Sequence, residues 1–161
     1  MMREMAENDF IVSKTDLKGR ITYCNKIFME MGEYTEDELL NKPHSIIRHP
    51  DMPKAIFKFL WDTITNKQEL FAYVLNKTKN SNEYWVYANI TASVDNNDNI
   101  IGYYSVRRKP NPAALEIIKQ LYAKMLDVEK KDGVDASFKI LTDLLKQKGV
   151  SYDEFIISIQ G

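Results

Sequence analysis

The sequence predicts an α+β domain with a helical C-terminal extension. Three observations lead there: paired strand-like runs near both ends of the first 109 residues, helix-period segments between them, and a proline-bounded switch to helix after Lys109. Antiparallel hairpins flanking a helical middle imply one sheet with helices on one face, enclosing either a core or a pocket.

In chain order, a polar leader precedes a strand over Phe10–Lys14, a turn over Asp16–Gly19 and a strand over Arg20–Cys24, which together form a hairpin. From Asn25 to Met31 the apolar residues Ile27, Phe28 and Met31 fall at helical spacing, and Thr35-Glu-Asp-Glu38 has the capping-box pattern of a second, short helix. Pro43, Pro50 and Pro53 make His44–Met52 an irregular connection with a short turn of helix, and Pro53 suits the first turn of the helix after it. Ile56, Phe57, Leu60, Trp61 and Ile64 then give residues 54–65 the stripe of an amphipathic helix. Leu70–Thr78, Glu83–Val94 and Asn99–Arg107 read as strands, separated by turn-forming KNSN and DNNDN.

Lys109-Pro-Asn-Pro112 ends the sheet, so residues 1–109 are assigned to the first domain and 110–161 to a helical C-terminal extension. Ala114, Ile118, Leu121, Met125 and Val128 mark one helix. Phe138, Leu141, Leu144 and Leu145 mark another, ending at Gly149, and Ser151-Tyr-Asp-Glu154 repeats the capping-box spacing before a third. The extension reads either as an output element or as a cap over the outer sheet face.

Composition restricts function. The 161 residues are 44% hydrophobic and 28% charged with a net charge of −1, which gives no electrostatic footprint for nucleic acid or acidic lipid. No apolar run approaches the ~18–20 residues that span a bilayer, and the N-terminus has no signal-peptide core, so a cytoplasmic protein is expected. The single cysteine, Cys24, lies in an apolar strand and reads as a buried small hydrophobe rather than a redox thiol. Two histidines without a ligand cluster argue against a protein-only metal site, and no nucleotide-binding or nucleophile signature occurs, so an enzyme is not expected.

Arg48-His49-Pro50-Asp51-Met52-Pro53 is the densest chemistry, two potential cations and a carboxylate held between prolines. It suits a ligand site, or equally a helix-entry device in which Asp51 caps the next helix and Arg48 pairs with a surface carboxylate. Tyr84-Trp85-Val86-Tyr87 reads as core packing before a stacking platform. Asn25 and Asn76 stand in strand-like runs, where Asn is disfavoured, either for hydrogen bonds inside a cleft or merely tolerated at an edge.

Taken together, Ser13–Asn25, Gly32–Leu39, Arg48–Pro53, Tyr84-Trp85-Val86 with Ala88-Asn89, and Gly102–Arg107 resemble the PAS domain of bacterial aerotaxis and energy-taxis receptors across residues 9–109. The resemblance implies a PAS fold, a five-stranded antiparallel sheet with helices cupped over one face, and FAD in that cup. It assigns cofactor binding to the positions of Asn25, Arg48, His49, Asp51, Phe57 and Asn76. It further implies a subunit of a bipartite system that senses redox state and relays it to a membrane-bound chemotaxis transducer, with a homodimer possible. One departure stands out: relatives typically carry Trp-x-Gly where this chain has Leu70-Phe71-Ala72. That change favours the alternative of a cofactor-free interaction subunit that dimerises or docks on a receptor. A haem-binding oxygen sensor, with His44 or His49 as axial ligand, is the third reading.

Overall fold

The structure, a computed structural model, describes all residues from Met1 to Gly161. It is an α+β molecule built on one sheet of six strands: β1 (Met2–Arg3), β2 (Ile11–Thr15), β3 (Ile21–Cys24), β4 (Leu70–Lys77), β5 (Glu83–Val94) and β6 (Ile100–Arg108). Five of these pair antiparallel in the lateral order β3-β2-β6-β5-β4. The helices are α1 (Lys26–Gly32), α2 (Glu36–Leu39), α3 (Lys54–Ile64), α4 (Pro112–Asp132), α5 (Val134–Lys148) and α6 (Tyr152–Gln160), with a 3₁₀ turn at His44–Ile47.

A sixth strand of two residues joins the expected five. The leader is not free: β1 lies parallel to the start of β5, with Met2 opposite Glu83 and Arg3 opposite Tyr84. β4 occupies one edge of β5 there, so β1 takes the edge that β6 has vacated. Arg3 then donates to the carbonyls of Glu30 and Met31 at 3.1 and 2.7 Å, satisfying the C-terminal turn of α1. A two-residue strand has no periodicity, which is why the sequence pattern is silent about it.

Local chemistry accounts for the other elements. The β2–β3 turn is set by Asp16, whose Oδ1 accepts from Lys18 N and Arg20 N, and by Gly19 at φ 81°. Thr35 and Glu38 form a complete capping box at α2. At α6 only half of it forms, Ser151 Oγ accepting from Glu154 N.

Strand alternation splits the sheet into two faces. The inner face, carrying Ser13, Tyr103, Ser105, Arg107, Ala88, Val74 and Asn76, looks toward α3 and the 3₁₀ turn. The outer face of β4 and β5 is covered by the C-terminal helices, with Trp85 against Tyr122 and the Tyr73 hydroxyl donating to Gln160 Oε1 at 3.1 Å. Tyr84-Trp85-Val86-Tyr87 is therefore buried on both faces and is core. Ala114, Ile118, Leu121 and Met125 are buried in the same continuous core as the sheet. No helix is long and apolar enough to cross a membrane.

β4 is an edge strand, and its free edge is closed by side chains and by an isolated antiparallel bridge between Arg48 and Asn76 rather than by another strand. The Tyr152 hydroxyl donates to the Phe71 carbonyl and the Tyr122 hydroxyl to the Tyr73 carbonyl, each at 2.8 Å. Leu75 N–H meets Met52 Sδ at 3.3 Å. These contacts remove the exposed donors and acceptors that make an edge a template for aggregation.

Candidate functional site

Between the inner sheet face and α3 lies a cavity of about 150 Å³. Its walls are mostly apolar: Leu60 and Ile64 come from α3, Val74 and Ile90 from the sheet, and Phe57 and Trp61 supply aromatic rings. Trp61 is half-exposed at the mouth and touches Tyr103, ring centres 5.2 Å apart.

Of the six residues singled out in the sequence, the structure brings three to this cavity. Arg48 sets its guanidinium 3.8 Å over the Phe57 ring, a cation–π contact on the cavity wall. It makes no ion pair with a surface carboxylate, contrary to the helix-entry reading. Asn76 is 2% exposed, and its Nδ2 has no hydrogen-bond partner. Tyr84, its cross-strand neighbour, also has a hydroxyl without a hydrogen bond of ordinary geometry, and the Asn76 amide lies beside it.

The other three lie elsewhere. Asn25 Oδ1 accepts from Val12 N (3.0 Å) and Phe28 N (3.2 Å) while Nδ2 donates to the Phe10 carbonyl (2.8 Å), so its amide caps α1 and ties it to β2. His49 Nε2 donates to Glu83 at 2.7 Å and Nδ1 accepts from Asp51 N at 3.0 Å, a network that assigns the Nε2–H tautomer. The Asp51 carboxylate is solvent-exposed and does not cap α3. That cap comes from α4: Glu129 reaches across and accepts from both Lys54 N and Ala55 N.

The structure adds residues that sequence reasoning missed. Arg107, 2% exposed, donates to Ser13 Oγ at 2.6 Å, lies 3.4 Å from His44 Nε2 and stands 4.6 Å over the Phe28 ring. Burial pulls its guanidinium down to about 10. Burial, reinforced by the charges of Arg107 and Arg48, lowers His44 to about 3, so it is a neutral acceptor there. The signal for Arg107 was its strand position, two residues beyond Ser105 and on the same face as Tyr103. Cys24 is buried, and desolvation raises its thiol, as a structural cysteine requires. Leu70 and Ala72 are fully buried in β4 but do not line the cavity.

The chain's relatives agree with this architecture. A family model described as the PAS fold matches residues 21–107. The chain belongs to the PAS fold family. It is of the aerotaxis-receptor type: the aerotaxis receptor of Escherichia coli (strain K12) is 36% identical over 118 residues, 73% of this chain. The PAS chain spans only 23% of that receptor's length. Among solved structures, a light-oxygen-voltage domain studied with a flavin analogue superposes with a TM-score of 0.59 at 21% identity, covering 69% of this chain and 83% of its own. The light state of the blue-light photoreceptor Aureochrome1 LOV gives a TM-score of 0.60 at 20% identity, over 71% and 91%. At such identities these two likenesses show the fold.

The cavity's walls are mostly apolar and carry two aromatic rings, and two buried donors, Asn76 Nδ2 and Arg107 Nε, make no hydrogen bond within the protein, a donor set that suits the acceptor-bearing edge of a ring such as a flavin's.

Proposed function

We propose that this PAS protein is a cytoplasmic redox sensor that binds FAD in the cavity and relays its state to a membrane-bound chemotaxis transducer, acting by binding rather than catalysis. The observation that carries this reading is Asn76, a buried amide beside the Tyr84 hydroxyl whose Nδ2 makes no hydrogen bond of ordinary geometry and which lines a cavity walled by Phe57 and Trp61. The similarity to the aerotaxis receptor supplies the sensory context.

A flavin supplies a redox couple whose ring-edge hydrogen bonding depends on oxidation state. The protein's part is to hold and report it. Asn76 donates to an acceptor on the ring edge, Phe57 and Trp61 shield the ring from water, and Arg48 stays folded over Phe57. Helix α3 is the reporter. It lines the cavity with Leu60 and Ile64, while Phe59 packs on Phe138 of α5 and on Tyr152 of α6, and Glu129 of α4 holds its N-terminus. A shift of α3 is therefore felt by all three C-terminal helices, which present the output surface to the transducer or to a second copy. The alternative, a cofactor-free interaction subunit, rests on Leu70 and Ala72 in place of the family's Trp-x-Gly.

The visible absorption spectrum of the freshly purified protein, before and after dithionite, tests the reading. Flavin bands that bleach on reduction, and that are lost in Asn76→Ala, are the expected result. A colourless, folded protein that takes up no added FAD establishes the interaction subunit instead.

A further inference from the structure

The cavity is lopsided in charge. Two guanidiniums, Arg48 and Arg107, line it, and no aspartate or glutamate does. Arg48 reaches the protein surface in part and is matched by the Phe57 ring, but Arg107 is buried and forms no ion pair. Its polar neighbours are the Ser13 hydroxyl and the neutral His44 imidazole, with the Tyr84 hydroxyl within electrostatic reach, and its Nε has no hydrogen-bond partner. A cation removed from water without a carboxylate is strongly unfavourable, and the face of Phe28 compensates only a fraction of that loss. A purely structural residue at this position gains nothing from being charged.

Space lies beside this charge. Across the β5–β6 ladder Arg107 sits opposite Ala88, whose methyl group leaves the inner face open between β6 and β4. On β4 the residue opposite Ala88 is Ala72, and the second unpartnered donor, Asn76 Nδ2, lies two inner-face positions further along that strand, opposite Tyr84.

We propose that Arg107 is the ligand-selecting residue of this cavity: its inner end is a subsite for the negatively charged or doubly accepting edge of a planar ligand, an aromatic carboxylate or the N–C=O edge of a heterocycle. Arg107 donates from Nε and contributes the charge, and Ser13 and His44 hold the guanidinium in place by accepting from its other nitrogens. The proposal rests on the reading that the cavity takes a ligand, and it narrows the class to acceptor-rich, acidic rings.

The test uses the ligand-stripped 161-residue chain with riboflavin and benzoate as probes, in the parent, Arg107→Met and Arg107→Lys. In the absence of ligand, Arg107→Met is expected to match or exceed the parent's urea midpoint, since it removes a buried unpaired charge while filling the space. Affinity for both probes is expected to fall about tenfold or more in Arg107→Met, with Arg107→Lys between the two because it keeps the charge and loses the fork. Benzoate binding without riboflavin binding sinks the flavin reading and leaves the subsite standing. Riboflavin bound equally by parent and Arg107→Met overturns the subsite and leaves the flavin reading intact. A large fall in urea midpoint in both variants, with probe affinity unchanged in Arg107→Lys, makes Arg107 structural and overturns the proposal, as does a parent that binds neither probe.

Discussion

The carboxylate of Glu129 accepts hydrogen bonds from the backbone N–H groups of Lys54 (3.1 Å) and Ala55 (3.0 Å), so a residue of α4 caps a helix some 75 positions earlier in the chain. Pro53 occupies the N-cap of α3 and has no side-chain acceptor to offer, which leaves those donors to Glu129. The carboxylate also faces the positive end of the α3 dipole. Glu129→Ala is expected to lower stability by about 1–2 kcal/mol, the usual worth of an N-cap. Amide hydrogen exchange should quicken first at Lys54 and Ala55. Unchanged exchange there would separate Glu129 from α3 altogether.

The two tyrosine hydroxyls on the β4 edge make a second prediction. Tyr122→Phe and Tyr152→Phe each leave one carbonyl, of Tyr73 or Phe71, without its partner while keeping the ring. Each substitution should cost about 1–2 kcal/mol in urea unfolding. A loss near zero for Tyr152→Phe would mean that water replaces its hydroxyl at Phe71.

Gly102 is required by close approach. A Cβ built there would stand 2.2 Å from the Thr15 carbonyl oxygen, a backbone atom of the neighbouring strand that cannot swing aside. Gly102→Ala should destabilise by about 3 kcal/mol, at the top of the range for overpacking, and thermal melting will show it. A melting temperature equal to the parent's would mean that β2 and β6 separate at little cost.

Acid sensitivity follows from His44. Its folded value, about 3, lies below the ordinary histidine value of 6.5, so the unfolded chain takes up a proton that the folded chain refuses. The stability this group contributes is complete above pH 6.5 and is lost as pH falls toward 3, with a slope of up to about 1.4 kcal/mol per pH unit. Between pH 6.5 and 5 most carboxylates stay ionised, so urea midpoints in that interval report on the two histidines, and comparison with a His44 variant separates His44 from His49. His44→Asn should flatten the slope there. An unaltered slope would assign the acid limb to another group.

Much of this fold was legible because its signals are local. Residues 54–65 read as a helix and form one over Lys54–Ile64, and Glu83–Val94 reads as a strand and is one to the residue. The site was legible only in part. Arg48, Phe57 and Asn76 do meet at the cavity, but Asn25 and His49 spend their hydrogen bonds on α1 and on Glu83. Arg107 was hidden by the logic of periodicity itself. Alternation distinguishes two faces of a strand and treats the polar one as wet, whereas Ser13, Ser105 and Arg107 line the inner face. The Glu129 cap was hidden for a different reason: a carboxylate in a charged helix has no local mark of the distant donors it will meet.

The sealed β4 edge also governs how copies of this chain can assemble. With Phe71 and Tyr73 carbonyls taken by tyrosines and Leu75 N–H by Met52, no incoming strand finds a ladder to extend on that side. At the opposite side, Ile21 is already bonded to Lys42 and Asn41. Self-association by strand addition is thereby shut off at β4 and obstructed at the start of β3, which directs a symmetric pair on the β4 side to faces and helices instead. The sheet is the wall of a chamber, and on the β4 side the growth of a larger sheet has been closed to it.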